Sequence, residues 1–400
     1  MLLLDNVVQA YGWGARNGLA RLLATAPTDE PEAELWVGTH PRGPSVVAAG
    51  PHRGQTLAEV IAADPATWLG QEAASKGCEA LPYLLKVLAI GRPLSLQAHP
   101  NVKQALGGFE REDATGVPLD ADRRSYRDTS DKPELLVALE ETYVLCGFRQ
   151  AEDAARRVRL LGDPIRPLLG LLEVSTEPMR DAISWLLHLS TGDAVRVAQA
   201  ADQVAVAQTR ADHPDPDDPW SWVRALTMLH PDDATCIAPL LLELVHLDVG
   251  DAVHLPAGNL HAYLRGAGVE VMASSDNVLR GGLTDKHVDV GELLHVVRFD
   301  PGTPPAPQQR RVGAVRCYLA GEHSFALAAI EPSPTTTWLR ITAPSLFLPV
   351  GGGAIIASES ERLEVAGGQA VALAPGQEVL VRSDVTVWWA TTGDGLPSDQ

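Results

Sequence analysis

The chain has 400 residues, 45% hydrophobic and 21% charged, a soluble globular composition with room for two or three domains. Its formal net charge of −19 argues against nucleic acid or an anionic membrane as the main partner, since both require a basic face. A small anionic substrate stays open, because it needs only a local cluster of Lys and Arg.

The N-terminal stretch MLLLDNVVQAYGWG lacks a basic n-region, and its apolar run is short for a signal peptide. No stretch approaches the roughly 18 apolar residues of a membrane span. A cytoplasmic protein is expected. Through residue 149, short apolar runs (ELWVG, LPYLLKVLAI, ELLVAL) alternate with Gly, Pro and Asp clusters, which reads as strands and turns. The texture then changes. AEDAARRVRLLG, RPLLGLLEV, EPMRDAISWLLHLS and DAVRVAQAADQVAVAQ carry apolar residues at helical spacing. Thr176 or Ser175 is expected to cap the third of these, with Pro178 in its first turn. ADHPDPDDPW, from Ala211 to Trp220, reads as a loop, and SWVRALTML resumes helix.

Strand texture returns near Cys236 in LELVHLDVGDAVHLPAGNLHAYL, which turns on Gly250 and Gly258. The Pro-rich FDPGTPPAPQQ reads as a linker. SFALAAIEP, SLFLPVGGGAIIAS, QAVALAP and EVLVRSDVTVWWATT then follow at the spacing of a small antiparallel sandwich or barrel. The reading is a β domain over 1–149 and 235–300, a helical insertion over 150–234, and a second β domain over 310–400. GDAVHLPAGNLHAY and GQAVALAPGQEVLV form a faint repeat, and only the first copy carries histidines. If both are the same hairpin, only the first can bind a metal. Cys78, Cys146, Cys236 and Cys317 form no C-x-x-C and are expected as buried thiols in a reducing compartment.

The spacing Gly250, Pro256, Gly258, His261 resembles the second motif of cupin (double-stranded β-helix, jelly-roll) proteins, with Arg265 where an Asn is usual. Gly258 turns the chain so that His261 points into the barrel. In PLSLQAHPN, residues two apart in an extended strand share a face, so Gln97 and His99 point together. Cupins commonly place two histidines there. Glu134 heads the apolar run ELLVAL, and a buried carboxylate needs a partner, for which a metal would serve. Gln97, His99, Glu134 and His261 would form an N2O2 set suited to Zn2+ as a Lewis acid. Two His and a carboxylate also suit non-haem iron, so ligand type leaves the metal open. Lys86, Lys132, Arg280 and Lys286 lie in the same segments and point to an anion site, with phosphate the expected anion.

Five stretches carry a closer resemblance: YGWG, AELWVGTHPRGPS, LPYLLKVLAIGRPLSLQAHPN, DKPELLVAL and HAYLRGAGVEVMASSDNVLRGGLTDKHVDV. Together they resemble the type I, zinc-dependent mannose-6-phosphate isomerase family. That resemblance implies a mainly β fold: a cupin-type catalytic domain, an α-helical domain, and a C-terminal cupin-like β domain. It implies interconversion of mannose 6-phosphate and fructose 6-phosphate through a cis-enediol, with one Zn2+ per chain on Gln97, His99, Glu134 and His261. It places Arg280 in the catalytic pocket beside Lys132, Glu270 and Asp276. Ser95, Lys86 and Lys286 become substrate and phosphate contacts, and Trp13 and Glu34 line the pocket. Glu270 is preferred as the base over Lys132. The family usually has His immediately before Lys-Pro-Glu, where this chain has Asp131; either Asp131 takes that role or the role lies elsewhere. The expected partner is a sugar phosphate, with no nucleic acid and no membrane, and a monomer is expected. The rival readings are a metal-dependent cupin dioxygenase and a non-catalytic sugar-binding cupin.

Overall fold

Tyr83–Ile90 is buried along its whole length, because both of its faces are covered. Its odd-numbered side chains Tyr83, Leu85, Val87 and Ala89 join the cluster that packs against the C-terminal sheets. Leu88 and Ile90 point the other way, into a small apolar core with Leu136, Ala138, Val144, Cys146, Val253, Leu255 and Tyr263. That second core is the inside of a barrel. A strand covered on both faces reads as a continuous apolar run, which is what YLLKVLAI shows apart from Lys86.

The computed structural model describes residues 1–209, 215–333 and 335–398. Part of the loop expected over Ala211 to Trp220 lies outside these. The barrel is a ten-stranded antiparallel sheet organised around His261–Ala273. This long strand pairs with Thr142–Phe148, Gln97–Ala98, Tyr83–Ile90 and Glu134–Ala138. It serves so many partners because it bends. Partner register jumps from Tyr263 to Arg265 against Val144 and Tyr143, so Leu264 is an extra, bulged residue. Gly266 follows at φ 125°, where a Cβ would lie 2.3 Å from Thr142 Oγ1.

The helices appear where the 3.6-residue period placed them: Ala151–Val158, Arg166–Val174, Pro178–Leu187, Thr191–Gln208 and Pro219–Leu229. Their apolar faces merge with Leu96, Ala98, Leu145, Phe148, Ala262 and Leu264 into one core over the outer face of the barrel. The expected cap is displaced. Glu177 is the N-cap of the third helix, with Pro178 in its first turn, while the Ser175 hydroxyl accepts from the Glu177 N–H one turn earlier. Cys146, Cys236 and Cys317 are buried as expected, whereas Cys78 is exposed.

The C-terminal strands form an eight-stranded and a four-stranded antiparallel sheet with a shared core that includes Phe347, Ile356, Val371, Val381 and Trp389. The N-terminal strand Leu2–Asp5 belongs to this region. It lies between Ala370–Leu373 and Val46–Val47. Neither copy of the faint repeat is a hairpin. Ala252–Leu255 and His261–Ala273 are both paired to Glu134–Ala138, which sits between them. Ala370–Leu373 and Glu378–Arg382 lie in different sheets. Among the described residues no helix is long and apolar enough to cross a membrane.

Candidate metal centre and active site

His261 is paired with Gln97, and Gln97 is paired on its other side with Arg280. Directly opposed residues in antiparallel strands project from the same face, so His261, Gln97 and Arg280 form a row across three strands. His99 follows two residues after Gln97. Glu134 enters from the start of its strand, where it is paired with Leu255 and Met272. His99, Glu134 and His261 are 1%, 2% and 1% exposed, and each offers a ligand atom within 4.8 Å of the others.

The tautomers follow from the hydrogen bonds. His99 Nδ1 lies 2.8 Å from the Asn277 carbonyl oxygen and His261 Nδ1 lies 3.1 Å from that of Asn259. A carbonyl only accepts, so both Nδ1 atoms carry protons and both Nε2 atoms keep lone pairs. These lone pairs face Glu134: His99 Nε2 is 3.4 Å from Oε1 and His261 Nε2 is 3.5 Å from Oε2. His99 Nε2 and Glu134 Oε2 are buried with no hydrogen-bond partner. Acceptors gathered without a donor are costly to bury, and a cation at their centre would satisfy them. Gln97 points its amide nitrogen at His261 Nε2, 3.3 Å away. Burial and then Lys132 push the His99 imidazole down to about 4. Burial would raise the Glu134 carboxyl, but Lys132, 3.3 Å from Oε1, holds it well below the usual range.

The second group lies deeper along the same bent strand. Glu270, 2% exposed, accepts from the Tyr263 hydroxyl at 2.9 Å, and the Lys86 ammonium sits 3.3 Å from its other oxygen. Lys86 also reaches Glu34 at 3.5 Å and lies over the Trp36 ring, whose N–H donates to Glu34. Burial raises the Glu270 carboxyl above its ordinary value, with Lys86 opposing. Burial disfavours the charge on Lys86, but Glu34 and Glu270 outweigh it, so the ammonium is held charged.

At the rim, Asp276 pairs with His40 Nε2 at 3.3 Å and accepts from Arg42, which lies over Trp36. Burial would raise its carboxyl, yet His40 and Arg42 hold it at about 2. Trp13 packs against the apolar barrel core and stacks with Tyr11. Ser95 is half-buried two residues before Gln97. Lys286 is exposed and Arg280 half-buried. Asp131 is half-buried; burial, and then Glu322, raise its carboxyl.

Tyr263, His40, Arg42, Arg127 and Asn277 were not picked out by sequence reasoning. Asn277 is fully buried. Its side-chain oxygen accepts from the Arg127 and Asp128 N–H groups, and its amide nitrogen donates to the Asp128 and Ser130 carbonyls. It follows two serines and an aspartate, so no apolar pattern marked its burial, which these hydrogen bonds make possible.

Comparison with known proteins agrees with this geometry. Residues 1–151 match the family model "Phosphomannose isomerase type I, catalytic domain". The chain is 32% identical to the mannose-6-phosphate isomerase of Salmonella typhimurium over 387 residues, covering 95% of this chain and 94% of that one. The chain belongs to the type I phosphomannose isomerase family. It is also 33% identical to the human mannose-6-phosphate isomerase, over 75% of this chain and 73% of the human protein. The Salmonella typhimurium structure bound to fructose 6-phosphate and zinc superposes with a TM-score of 0.89 at 29% identity, covering 98% and 99% of the two chains. A zinc-bound mannose 6-phosphate isomerase superposes equally well, with a TM-score of 0.89 at 29% identity over the same shares. The expected class, a cupin-type β fold with a helical insertion, is the one these relatives share.

Proposed function

We propose that the chain interconverts D-mannose 6-phosphate and D-fructose 6-phosphate, with one Zn2+ on Gln97, His99, Glu134 and His261. The observation that carries this reading is the pair of orphaned buried acceptors, His99 Nε2 and Glu134 Oε2, within one ligand cluster. Three donors of the N/N/O type with open positions suit a zinc site that admits substrate. Rotating the Gln97 amide by a half-turn presents Oε1 where the nitrogen now stands, completing the set. When bound, Zn2+ supplies Lewis acidity to the sugar oxygens.

The protein groups divide the remaining work. The Glu270 carboxylate takes the proton from C2 of the open-chain aldose. The electrons of that bond form the C1–C2 double bond, and charge moves onto the C1 oxygen. Arg280, always protonated and next to Gln97 in the row, steadies that oxygen. Lys132 donates to the sugar oxygens from its place beside Glu134. The hydroxyl proton on O2 passes to O1, and Glu270 returns its proton to C1, which leaves a hydroxyl on C1 and the carbonyl on C2. Lys86 and Tyr263 hold Glu270 in place, and Glu34 balances the Lys86 charge. We assign the pocket wall to Trp13, the rim to Asp276, and substrate contacts to Ser95 and Lys286. Asp131, which faces Glu322 and Asp128 in charge terms, is assigned no proton-transfer role, so that role falls to Glu270. We retain the division into a catalytic β unit, a helical unit and a C-terminal β unit, with Leu2–Asp5 and Val46–Val47 assigned to the last.

Metal analysis of the purified protein with a coupled mannose 6-phosphate assay, with and without chelator, tests the reading. Bound zinc and isomerisation lost to chelator are expected, and His261→Ala should lose both metal and turnover. Bound iron with oxygen uptake, or isomerisation indifferent to chelator, would overturn it.

A further inference from the structure

In this chain of net charge −19, several partly buried arginines are matched to carboxylates, as in Arg124–Glu112, Arg149–Glu243 and Arg316–Glu331. Three cations on the segments that lead to and from the metal cluster are not so matched. Among the described residues, the side chains of Arg127, Arg280 and Lys286 have no carboxylate partner. Arg280 and Lys286 are already assigned to the substrate. Arg127 is not.

Its position is set by the backbone. The Arg127 N–H donates to the Asn277 side chain at 2.7 Å, and the Val278 N–H to the Ser125 carbonyl at 3.3 Å. The 125–127 segment therefore runs beside the chain that leads into Arg280. The guanidinium itself makes one long contact, 3.4 Å to the Ala121 carbonyl. The cations also feel one another. Arg280 is lowered by burial and then by Arg127, and Lys286 by burial and then by Arg280, Arg42 and Arg127, against a weaker pull from Asp122. Arg42 is committed to Asp276. Like charges held close with no counter-ion are unfavourable unless an anion joins them.

We propose that Arg127 is a specificity residue that, with Lys286, holds the phosphate of the sugar phosphate substrate. This rests on the proposed isomerase reading. The reacting carbons lie at the opposite end of the sugar from the phosphate, so the anion contacts must stand off from the metal ligands. The row His261–Gln97–Arg280 steps away from the metal ligands, and Arg127 sits on the segment bonded to Asn277 and Val278, just before Arg280 in the chain. A planar guanidinium can grip two phosphate oxygens at once, which a lysine cannot.

The scaffold uses only the amide of Arg127, which any non-proline residue retains, so the side chain can be tested separately. In zinc-loaded holoenzyme, Arg127→Ala should raise KM for mannose 6-phosphate and the inhibition constant of inorganic phosphate together, each about tenfold, the usual scale of a lost charge-assisted bond. Turnover should fall far less and zinc content should hold. Arg127→Gln, which keeps the stem, should behave alike, and Arg127→Lys should recover part of both constants. An unchanged phosphate constant, or loss of kcat, zinc and thermal stability together, would overturn the proposal. Calorimetric binding of inorganic phosphate separates the two readings. A wild-type chain that binds phosphate through Arg127 but does not isomerise mannose 6-phosphate defeats the isomerase reading alone. A wild-type isomerase whose phosphate binding ignores Arg127 defeats this one alone.

Discussion

Gln97 and Arg280 are direct partners across two short strands, so the amide assigned to the metal and the guanidinium assigned to the enediolate share one face. The pairing is a backbone property, and it fixes the distance between metal and charge stabiliser without using either side chain. Arg280→Ala should therefore leave the metal site standing. We expect zinc content to match the wild type while kcat falls by about 10²–10³, the typical cost of one such donor. Near-normal turnover in a zinc-loaded variant would remove Arg280 from the mechanism.

Lys86 is the charge that holds Glu270 down against burial. A base works only when ionised, so activity should fall as pH drops through the Glu270 value, which lies above the ordinary carboxyl range. Removing the ammonium raises that value further. In Lys86→Met, the acid limb of the kcat/KM profile should move to higher pH. A limb that stays in place or moves down would exclude Glu270 as the group it reports.

Asp276 gives a stability prediction of the opposite kind. Its folded value of about 2 lies below the unfolded one. Its contribution is thus fully present above the unfolded value of about 3.9 and is lost as pH falls from there through about 2. Denaturant unfolding over that acid window should show a shallower pH slope in Asp276→Asn than in the wild type. Equal slopes would mean that His40 and Arg42 do not stabilise the ionised carboxylate.

Asn277 links His99 to the segment that carries Arg127, Asp128 and Ser130. Asn277→Ala leaves the backbone carbonyl on His99 but abandons several buried partners of the amide. We expect a loss of about 2–3 kcal/mol in unfolding free energy. Zinc affinity should drop about tenfold, because the support behind a metal-bound His is disturbed. Titration with a competing chelator reads the second effect, and unchanged affinity in a destabilised variant would reduce Asn277 to a purely structural role.

Much of this molecule is local and was readable. The helices followed apolar spacing, the C-terminal strands followed alternation between turns, and the two-residue step from Gln97 to His99 announced a common face. What stayed hidden depends on who pairs with whom. Lys86 lies between Glu34 and Glu270, a neighbourhood that its own stretch of sequence does not encode. His261 and Glu270 differ by an odd number of residues, so strict alternation would put them on opposite faces of their strand. The bulge at Leu264 adds one residue, reverses the alternation, and brings Tyr263 and Glu270 into contact inside the same barrel. Composition, periodicity and motif spacing determined the fold class and the candidate ligands, because those signals reside in neighbouring residues. Only the tertiary structure decided which side of the sheet each charge faces, because a bulge is set by a strand's partners.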